Sequence, residues 1–181
     1  MRRVLLLLLL LLPSLASAEG LAGRLLVASP RMPPNPFSET VILICSHDAT
    51  GAFGLVVNRR AGHAEADGRD GGTAGFTLRL GGPVEPKLLF LLMTAEAAPP
   101  EALSVPGGFA VGNPSPFLAG ELQPPRRATL VVGFSGWDPG QLEAELRHGD
   151  WLVQDADEET VFGERDEAKW QRAVNTRKLE L

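Results

Sequence analysis

Apolar residues stand in short unbroken runs along the first half of the chain. Residues 41–45 are all apolar, a turn-forming stretch follows at residues 48–51, and residues 52–57 are again largely apolar. Runs of this length without polar alternation are typical of strands that are buried on both faces. The pattern therefore predicts a buried β-hairpin with strands over residues 40–47 and 52–58.

Further runs of this kind predict a domain of mixed strands and helices. Residues 59–75 interrupt the pattern with five glycines and are predicted to form a flexible surface loop inside the domain. Residues 95–108 are rich in alanine and proline and predict irregular structure with at most a short helix. Strands are expected over residues 25–28, 77–80, 88–94, 109–111, 129–134 and 151–154, a helical turn within 155–162, and a terminal helix over 166–174.

The clearest helix signal begins at Asp138. Asp138 is a favourable N-cap, Pro139 suits the first helical position, and Gln141 completes a capping box. Glu143 and Arg147 lie four residues apart and can pair on the exposed face. A glycine two residues after Arg147 is a favourable stop, so a helix is predicted between these signals.

The first residues have the order of a secretory signal peptide. A positive start precedes an apolar run at residues 4–12, and Ala16-Ser17-Ala18 follows as a cleavage site. The run is too short for a membrane-spanning helix, which needs about 20 residues. We expect cleavage after Ala18, with residues 1–18 as signal and 19–181 as one domain that is periplasmic or secreted and free of the membrane; an uncleaved anchor is the alternative.

Acidic residues outnumber basic ones. The whole chain carries a formal charge of −5, and loss of the predicted signal removes Arg2 and Arg3 and makes the mature domain about −7. This sign repels phosphates, and no cluster of lysine and arginine compensates for it, so no nucleic acid partner is expected. Cys45 is the only cysteine, which excludes an intramolecular disulfide.

A serine lies between a predicted strand and the predicted helix, where the nucleophile elbow of a hydrolase would lie. That elbow has its second glycine two residues after the serine, whereas Gly136 follows Ser135 directly. No histidine follows Asp150, so the order serine, acid, histidine also fails. The pattern favours a tight strand-to-helix turn in which Gly136 adopts an unusual backbone angle.

Cys45 and His47 are two apart on a predicted strand, so we expect them to share a face. They could form a nucleophile pair or two metal ligands, but a metal needs three or four ligands, and His63 and His148 are remote in sequence. We interpret Cys45 as a buried apolar residue and expect no metal and no cofactor. A phosphate cradle at Gly81-Gly82-Pro83 is disfavoured because no helix clearly follows.

Several blocks of sequence span nearly the whole predicted mature chain in a fixed order. They are Leu26-Val27-Ala28-Ser29-Pro30, Val41-Ile42-Leu43-Ile44-Cys45-Ser46-His47, Gly54-Leu55-Val56-Val57-Asn58-Arg59, Gly81-Gly82-Pro83-Val84, Gly136-Trp137-Asp138-Pro139-Gly140-Gln141-Leu142, Trp151-Leu152 and Trp170. In this order they resemble the AlgH/YqgE family, and the block that begins at Gly136 is the most specific.

The resemblance implies a fold more than a function. It implies an α+β (mixed α/β) single domain in which a mixed, partly barrel-like β-sheet is flanked by helices. It implies no established enzymatic activity. Some family members are labelled transcriptional regulators because of an effect on alginate production, but family members usually lack a signal peptide, and an exported protein cannot act directly on the chromosome.

We therefore interpret the chain as an exported, non-catalytic binding module whose partner is an unidentified protein or small molecule. The alternatives are a hydrolase-like enzyme that uses His47 or Ser135, and a transcriptional regulator as the family label suggests. Polar residues and glycines at strand ends are poor core material, so we expect His47, Asn58, Gly82 and Trp137 to converge on one concave surface. The alternative is that these residues only pin turns. The candidate binding residues are His47, Asn58, Gly81, Gly82, Pro83, Gly136, Trp137 and Gln141.

Overall fold

The computed structural model describes residues 20–61, 75–163 and 165–179. The predicted signal peptide, and residues 62–74 of the predicted loop, lie outside the described residues. Within the described part, no helix is long and apolar enough to cross a membrane.

A single sheet of nine strands, counted in the described residues, dominates the fold. The strands are β1 Arg24–Ala28, β2 Val41–Asp48, β3 Gly51–Val56, β4 Thr77–Leu80, β5 Val84–Thr94, β6 Leu103–Val105, β7 Phe109–Gly112, β8 Ala128–Trp137 and β9 Trp151–Asp155. They run in the order β6-β7-β5-β8-β3-β2-β1-β9, and β4 adds to β8 as a parallel neighbour. The sheet curls into a half-barrel, because β8 pairs with β3 at its end and with β5 and β4 along the rest of its length.

Four helices flank the sheet in the described residues, which confirms the α+β class. The terminal helix and the helical turn before it are both present, and β6 forms inside the stretch that was predicted to be irregular. The helices are α1 Ser115–Leu118, α2 Gln141–His148, α3 Glu158–Phe162 and α4 Asp166–Leu179, with a short 3-10 turn at Ala95–Ala97.

The unbroken apolar runs are explained by burial on both faces of the sheet, as predicted. Along β1, Leu25 and Val27 pack in one cluster with residues of α3 and α4. Their neighbours Leu26 and Ala28 pack in a second cluster on the other face, together with Leu142 of α2. Residues i and i+2 of a strand share a face, so an apolar residue is needed at every position.

The connection between β8 and α2 differs from the prediction. Strand β8 continues through Ser135 and Gly136 to Trp137, so Gly136 lies in the strand and not in a turn. The chain instead turns at Gly140, which has φ 77° and caps α2 in place of Asp138. The helix consequently begins at Gln141, whose side-chain oxygen accepts a hydrogen bond from the Asp138 N–H at 3.0 Å.

Candidate functional site

Three neighbouring strands bring two of the predicted site residues into one row. His47 of β2 pairs with Ala52 of β3, and Ala52 pairs with Trp137 of β8. Residues directly opposite each other in a sheet project to the same face, so the side chains of His47 and Trp137 lie on one side. Helix α2 packs on that side, because its Leu142 lies in the same apolar cluster as Trp137 and its Glu143 contacts His47.

His47 is held by both ring nitrogens. Nε2 lies 2.9 Å from Oε1 of Glu143 on α2, and Nδ1 accepts a hydrogen bond from the backbone N–H of Leu21 at 3.1 Å. This pairing fits a neutral ring with its hydrogen on Nε2. The pKa of Glu143 is lowered by its own backbone N–H and by the hydrogen bond from His47. Since the imidazole is only 5% exposed, His47 ties α2 to the sheet and is not open to a substrate.

The carboxylate of Glu145, also on α2, accepts hydrogen bonds from three side-chain donors. The indole N–H groups of Trp137 and Trp151 both donate to its Oε2, each at 2.8 Å. The Gln141 amide, one helical turn earlier, donates to Oε1 at 2.8 Å. All three donors are neutral, and no cation among the described residues pairs with this carboxylate. The negative charge is therefore positioned by hydrogen bonds and is not neutralised.

A cleft of about 260 Å³ opens beside this carboxylate. One wall is the proline-rich segment before β2, where Phe37 packs edge-to-face on Trp151 with ring centroids 6.1 Å apart. The other wall carries Glu145 and Asp150, and His148 approaches Asp150 to 2.8 Å between Nδ1 and Oδ1. Aromatic residues and acidic residues therefore line the same small volume, together with Met32, Pro33 and Asn35.

Gly81 and Gly82, also predicted site residues, serve close backbone packing. The Gly81 carbonyl accepts hydrogen bonds from the Ser135 hydroxyl at 3.1 Å and from the Val56 N–H at 2.9 Å. A Cβ on Gly82 would collide with the carbonyl of Phe134. Ser135 is fully buried and donates to a backbone oxygen, so it is not available as a nucleophile.

Two further predicted residues, Pro83 and Gly136, are exposed and lie away from the cleft. Pro83 stands at the turn into β5, and Gly136 pairs with Phe53 on β3. Consecutive residues of a strand face opposite sides, so Gly136 is directed away from the side that Trp137 occupies. The cleft beside Trp151 does not include either of them.

Asn58 lies at the opposite end of the β2–β3 hairpin from His47. Its side-chain oxygen accepts a hydrogen bond from the Val41 N–H at 2.8 Å, and its amide donates to the Glu39 carbonyl at 2.9 Å. These bonds fix the start of β2. Of the predicted site residues, His47 and Trp137 lie in one row, Trp137 and Gln141 share the Glu145 carboxylate, and Asn58 lies apart. The cleft is lined by none of the predicted residues.

A β-bulge separates Cys45 from His47. The pairing of β2 with β3 shifts between Ile44 and Ser46, which inserts one extra residue into β2. Cys45 consequently faces the first apolar cluster, whereas His47 faces α2, so the expectation of a shared face is wrong. Burial of the Cys45 thiol raises its pKa far above the ordinary value.

Sequence reasoning missed Glu145, Trp151, Phe37 and Asp150 as parts of one site. The one local signal was the spacing of Gln141 and Glu145, which places them on one side of the helix. The expected pairing of Glu143 with Arg147 is replaced by the contact between Glu143 and His47, which no local pattern indicates.

Comparisons with known proteins agree on one family. A family model described as AlgH-like matches residues 25–181. A UPF0301 protein of Ruegeria pomeroyi is 39% identical over 165 residues, which cover 85% of this chain and 90% of the relative. A UPF0301 protein of Afipia carboxidovorans is 38% identical over 192 residues, covering 94% and 91% respectively.

Two solved structures have the same fold. The solution structure of the AlgH protein from Pseudomonas aeruginosa superposes with a TM-score of 0.71 at 26% identity and covers 92% of each chain. The crystal structure of the protein DIP2367 from Corynebacterium diphtheriae superposes with a TM-score of 0.73 at 23% identity and covers 86% of each chain. The second likeness concerns the fold alone.

Proposed function

The chain belongs to the AlgH-like family, whose UPF0301 members are uncharacterised, and we propose that it is a non-catalytic binding module for an organic cation. The binding site is the cleft between the proline-rich segment and the C-terminal end of α2. The observation that carries this proposal is the carboxylate of Glu145, which three neutral donors hold at the cleft wall without a cationic partner in the described residues.

The cleft walls suit a cation that also carries apolar surface. The rings of Trp151 and Phe37 line the cleft, and aromatic rings attract ammonium and guanidinium groups by about 0.5–2 kcal/mol. Glu145 and Asp150 supply negative charge, of which His148 compensates at most one unit when it is protonated. A volume of about 260 Å³ is small for a whole metabolite but accommodates one lysine-like or arginine-like group.

The geometry of His47 and Ser135 favours a binding role over hydrolysis. Neither side chain faces open solvent, and each is committed to a structural hydrogen bond, with Glu143 and with the Gly81 carbonyl respectively. Nucleophilic catalysis needs a serine within reach of a base and of the substrate. The second candidate function, a hydrolase built on these residues, therefore has no supporting observation.

We further propose that the module works outside the cytoplasm. The support is the order of charge, apolar run and Ala16-Ser17-Ala18 at the start of the chain. N-terminal sequencing of protein from the native host, combined with fractionation, tests this part. A mature chain that starts at Glu19 in the periplasm or the medium supports export, and a cytosolic chain that retains Met1 overturns it.

Binding of simple organic cations tests the site. The probes are n-butylammonium and n-butylguanidinium, with n-butanol as a neutral probe of similar shape, and the readout is the NMR shift of the Trp151 indole N–H. We expect saturable shifts with the cations and none with the alcohol. Equal shifts with butanol would show that the cleft takes apolar chains regardless of charge and would overturn the proposal.

Two variants locate the effect in the cleft. Asp150→Asn removes one wall charge, and Phe37→Leu removes an aromatic face but keeps apolar volume. We expect each to weaken cation binding at least fivefold. Asp138→Asn is the matched control, because Asp138 is an exposed aspartate outside the cleft and should leave the affinity unchanged. Unchanged affinity in both cleft variants would refute the site.

A further inference from the structure

A second cleft, of about 500 Å³, lies between the start of β4, the loop before β8 and helix α3. Its volume falls within the range of roughly 300–1,000 Å³ that is typical of small-molecule sites. Its charged lining residues, among those that the structure describes, are Arg126, Arg127 and Arg165 against the carboxylate of Glu159. Glu158, which does not line the cleft, also contacts Arg126 and Arg127, so these described groups together keep a net positive charge of one in a chain whose formal charge is −5.

The arginines keep donors that the protein does not use. Arg126 and Arg127 both contact Oε2 of Glu158, at 3.1 and 3.3 Å, and Arg127 also approaches Glu159 at 3.6 Å. A guanidinium has five N–H donors, so several remain on each side chain. Arg165 is exposed and has no ion pair with any residue that the structure describes. Exposed ion pairs of this kind are weak, which leaves the guanidinium groups free to bind a ligand.

A buried arginine supports the wall of this cleft from inside. Arg79 of β4 is 1% exposed, binds the Asp166 carboxylate through Nε and Nη2, and donates to the carbonyl of Gly163 at 3.0 Å. Gly163 itself lines the cleft. The third nitrogen of the group, Nη1 of Arg79, is buried and has no hydrogen-bond partner among the described residues. A buried donor of a charged group that makes no hydrogen bond lowers the stability of the folded state, so the unpaired Nη1 needs an explanation.

Among the described residues, the buried cluster behind the cleft holds more positive than negative charge. The buried Asp166 is contacted by the buried Arg79 and Lys169, at 3.0 and 2.9 Å, and also by Arg60, whose side chain is 43% exposed, at 3.3 Å. Burial, together with the neighbouring Arg79, lowers the pKa of Lys169 to about 8. An excess of positive charge in a poorly screened interior raises the potential at the adjoining surface. A bound anion would supply the missing negative charge.

We propose that this second cleft binds a small molecule through a phosphate monoester group, with Arg126, Arg127 and Arg165 as its ligands. Guanidinium forks match the geometry of phosphate oxygens, and a phosphate monoester carries a charge of about −1.5 to −2 at neutral pH, whose sign is opposite to the excess charge of the lining. The cleft is larger than one phosphate, so the remaining volume takes the organic part of the ligand. This site is separate from the cation cleft, and neither proposal depends on the other.

Calorimetric titration of the full mature chain with glycerol 3-phosphate, inorganic phosphate and glycerol tests the proposal. We expect saturable binding of the ester, weaker binding of inorganic phosphate, and none of glycerol. Arg127→Gln should weaken ester binding at least tenfold. Arg165→Gln should also weaken it. Since the Arg165 side chain is exposed and has no ion pair among the described residues, this variant separates loss of binding from loss of folding. Arg147→Gln, an exposed arginine on α2, is the control for net charge.

Each result of this titration either supports or overturns the proposed phosphate-ester site. Retained binding in Arg147→Gln with loss in the two cleft variants supports the site. Absence of saturable ester binding, or equal weakening by all three substitutions, overturns it. Inorganic phosphate binding as tightly as the ester would refute recognition of an organic phosphate and leave only a site for the free ion. As a second readout, bound ester should raise the pKa of Lys169 in an NMR titration, and an unchanged pKa would contradict the charge argument.

Discussion

Trp137 and Trp151 stand edge to face with ring centroids 6.1 Å apart, and both donate their indole N–H to the same oxygen of Glu145. The two rings come from strands at different places in the sheet, and each is less than a tenth exposed. One carboxylate on α2 therefore satisfies two nearly buried donors and fixes the helix against the sheet.

Glu145→Ala should destabilise the protein strongly for a surface-helix substitution. It leaves two buried indole donors without acceptors, at a cost of about 1–3 kcal/mol for each donor that water cannot reach. We expect a loss of about 2–4 kcal/mol in the free energy of unfolding, measured by urea denaturation with tryptophan fluorescence. Glu143→Ala, which removes the acceptor of one donor, the His47 ring, instead of two, should cost less. Equal losses of unfolding free energy in the two variants would show that the indole hydrogen bonds to Glu145 do not contribute more than the contact of Glu143 with His47.

Gly82→Ala should be among the most damaging small substitutions in the chain. The new Cβ would meet the backbone carbonyl of Phe134, which belongs to the central strand and cannot move aside. We expect a loss of about 3 kcal/mol or more, seen as a lower urea midpoint at unchanged slope.

Gly140→Ala is the matched control for this substitution. Gly140 has φ 77°, and no atom lies within 4 Å of the position its Cβ would take. Only backbone strain of about 1 kcal/mol applies there. If the two variants lose equal stability, the collision at Gly82 is not the cause.

Much of the fold could be predicted from the sequence, because it depends on local pattern. Consecutive apolar residues predict that β1 and β2 are buried on both faces. The strand that begins at Trp151 follows a clear helix stop at Gly149. The end of β8 was missed, since glycine in a strand and glycine in a turn look alike in sequence. The start of α2 is set by Gly140, whose left-handed backbone begins the helix two residues later than an N-cap at Asp138 would.

The candidate site was much harder to predict, because its parts are distant in sequence. Phe37, Glu145 and Trp151 meet only after β9 pairs with β1 and the proline-rich segment folds over Trp151. The bulge after Ile44 also reverses which face His47 uses, and a single extra residue in a strand leaves no mark in the apolar pattern. Alternation rules fail wherever such a bulge occurs.

Cys45 should behave as an inert core residue. Its thiol is 1% exposed and donates to the Leu43 carbonyl at 3.6 Å, and burial raises its pKa. We expect slow reaction with a thiol reagent at neutral pH in the native state and fast reaction in urea. Cys45→Ala should lower the free energy of unfolding by about 1–2 kcal/mol. Fast labelling of the native protein would contradict this assignment.

The lowered pKa of Lys169 should be detectable in the way that the free energy of unfolding changes with alkaline pH. Burial lowers the pKa of this lysine from 10.5 to about 8 in the folded protein. Between these values the unfolded chain binds a proton that the folded chain has released, so the free energy of unfolding rises with pH across this window. The buried Cys45 acts in the opposite direction, because the folded state keeps a thiol proton that the unfolded state loses above its ordinary pKa of 9.0.

The two contributions separate in a Cys45→Ala background, where only the lysine remains. There we expect the free energy of unfolding to rise by about 1 kcal/mol per pH unit between pH 8.5 and 9.5, since one proton accounts for at most about 1.4 kcal/mol per pH unit. Adding Lys169→Met should abolish the rise, whereas Lys87→Met, at an exposed position, should leave it intact. The same slope with and without Lys169 would mean that this lysine keeps its proton in the folded protein, and the excess positive charge around Asp166 would then persist above pH 9.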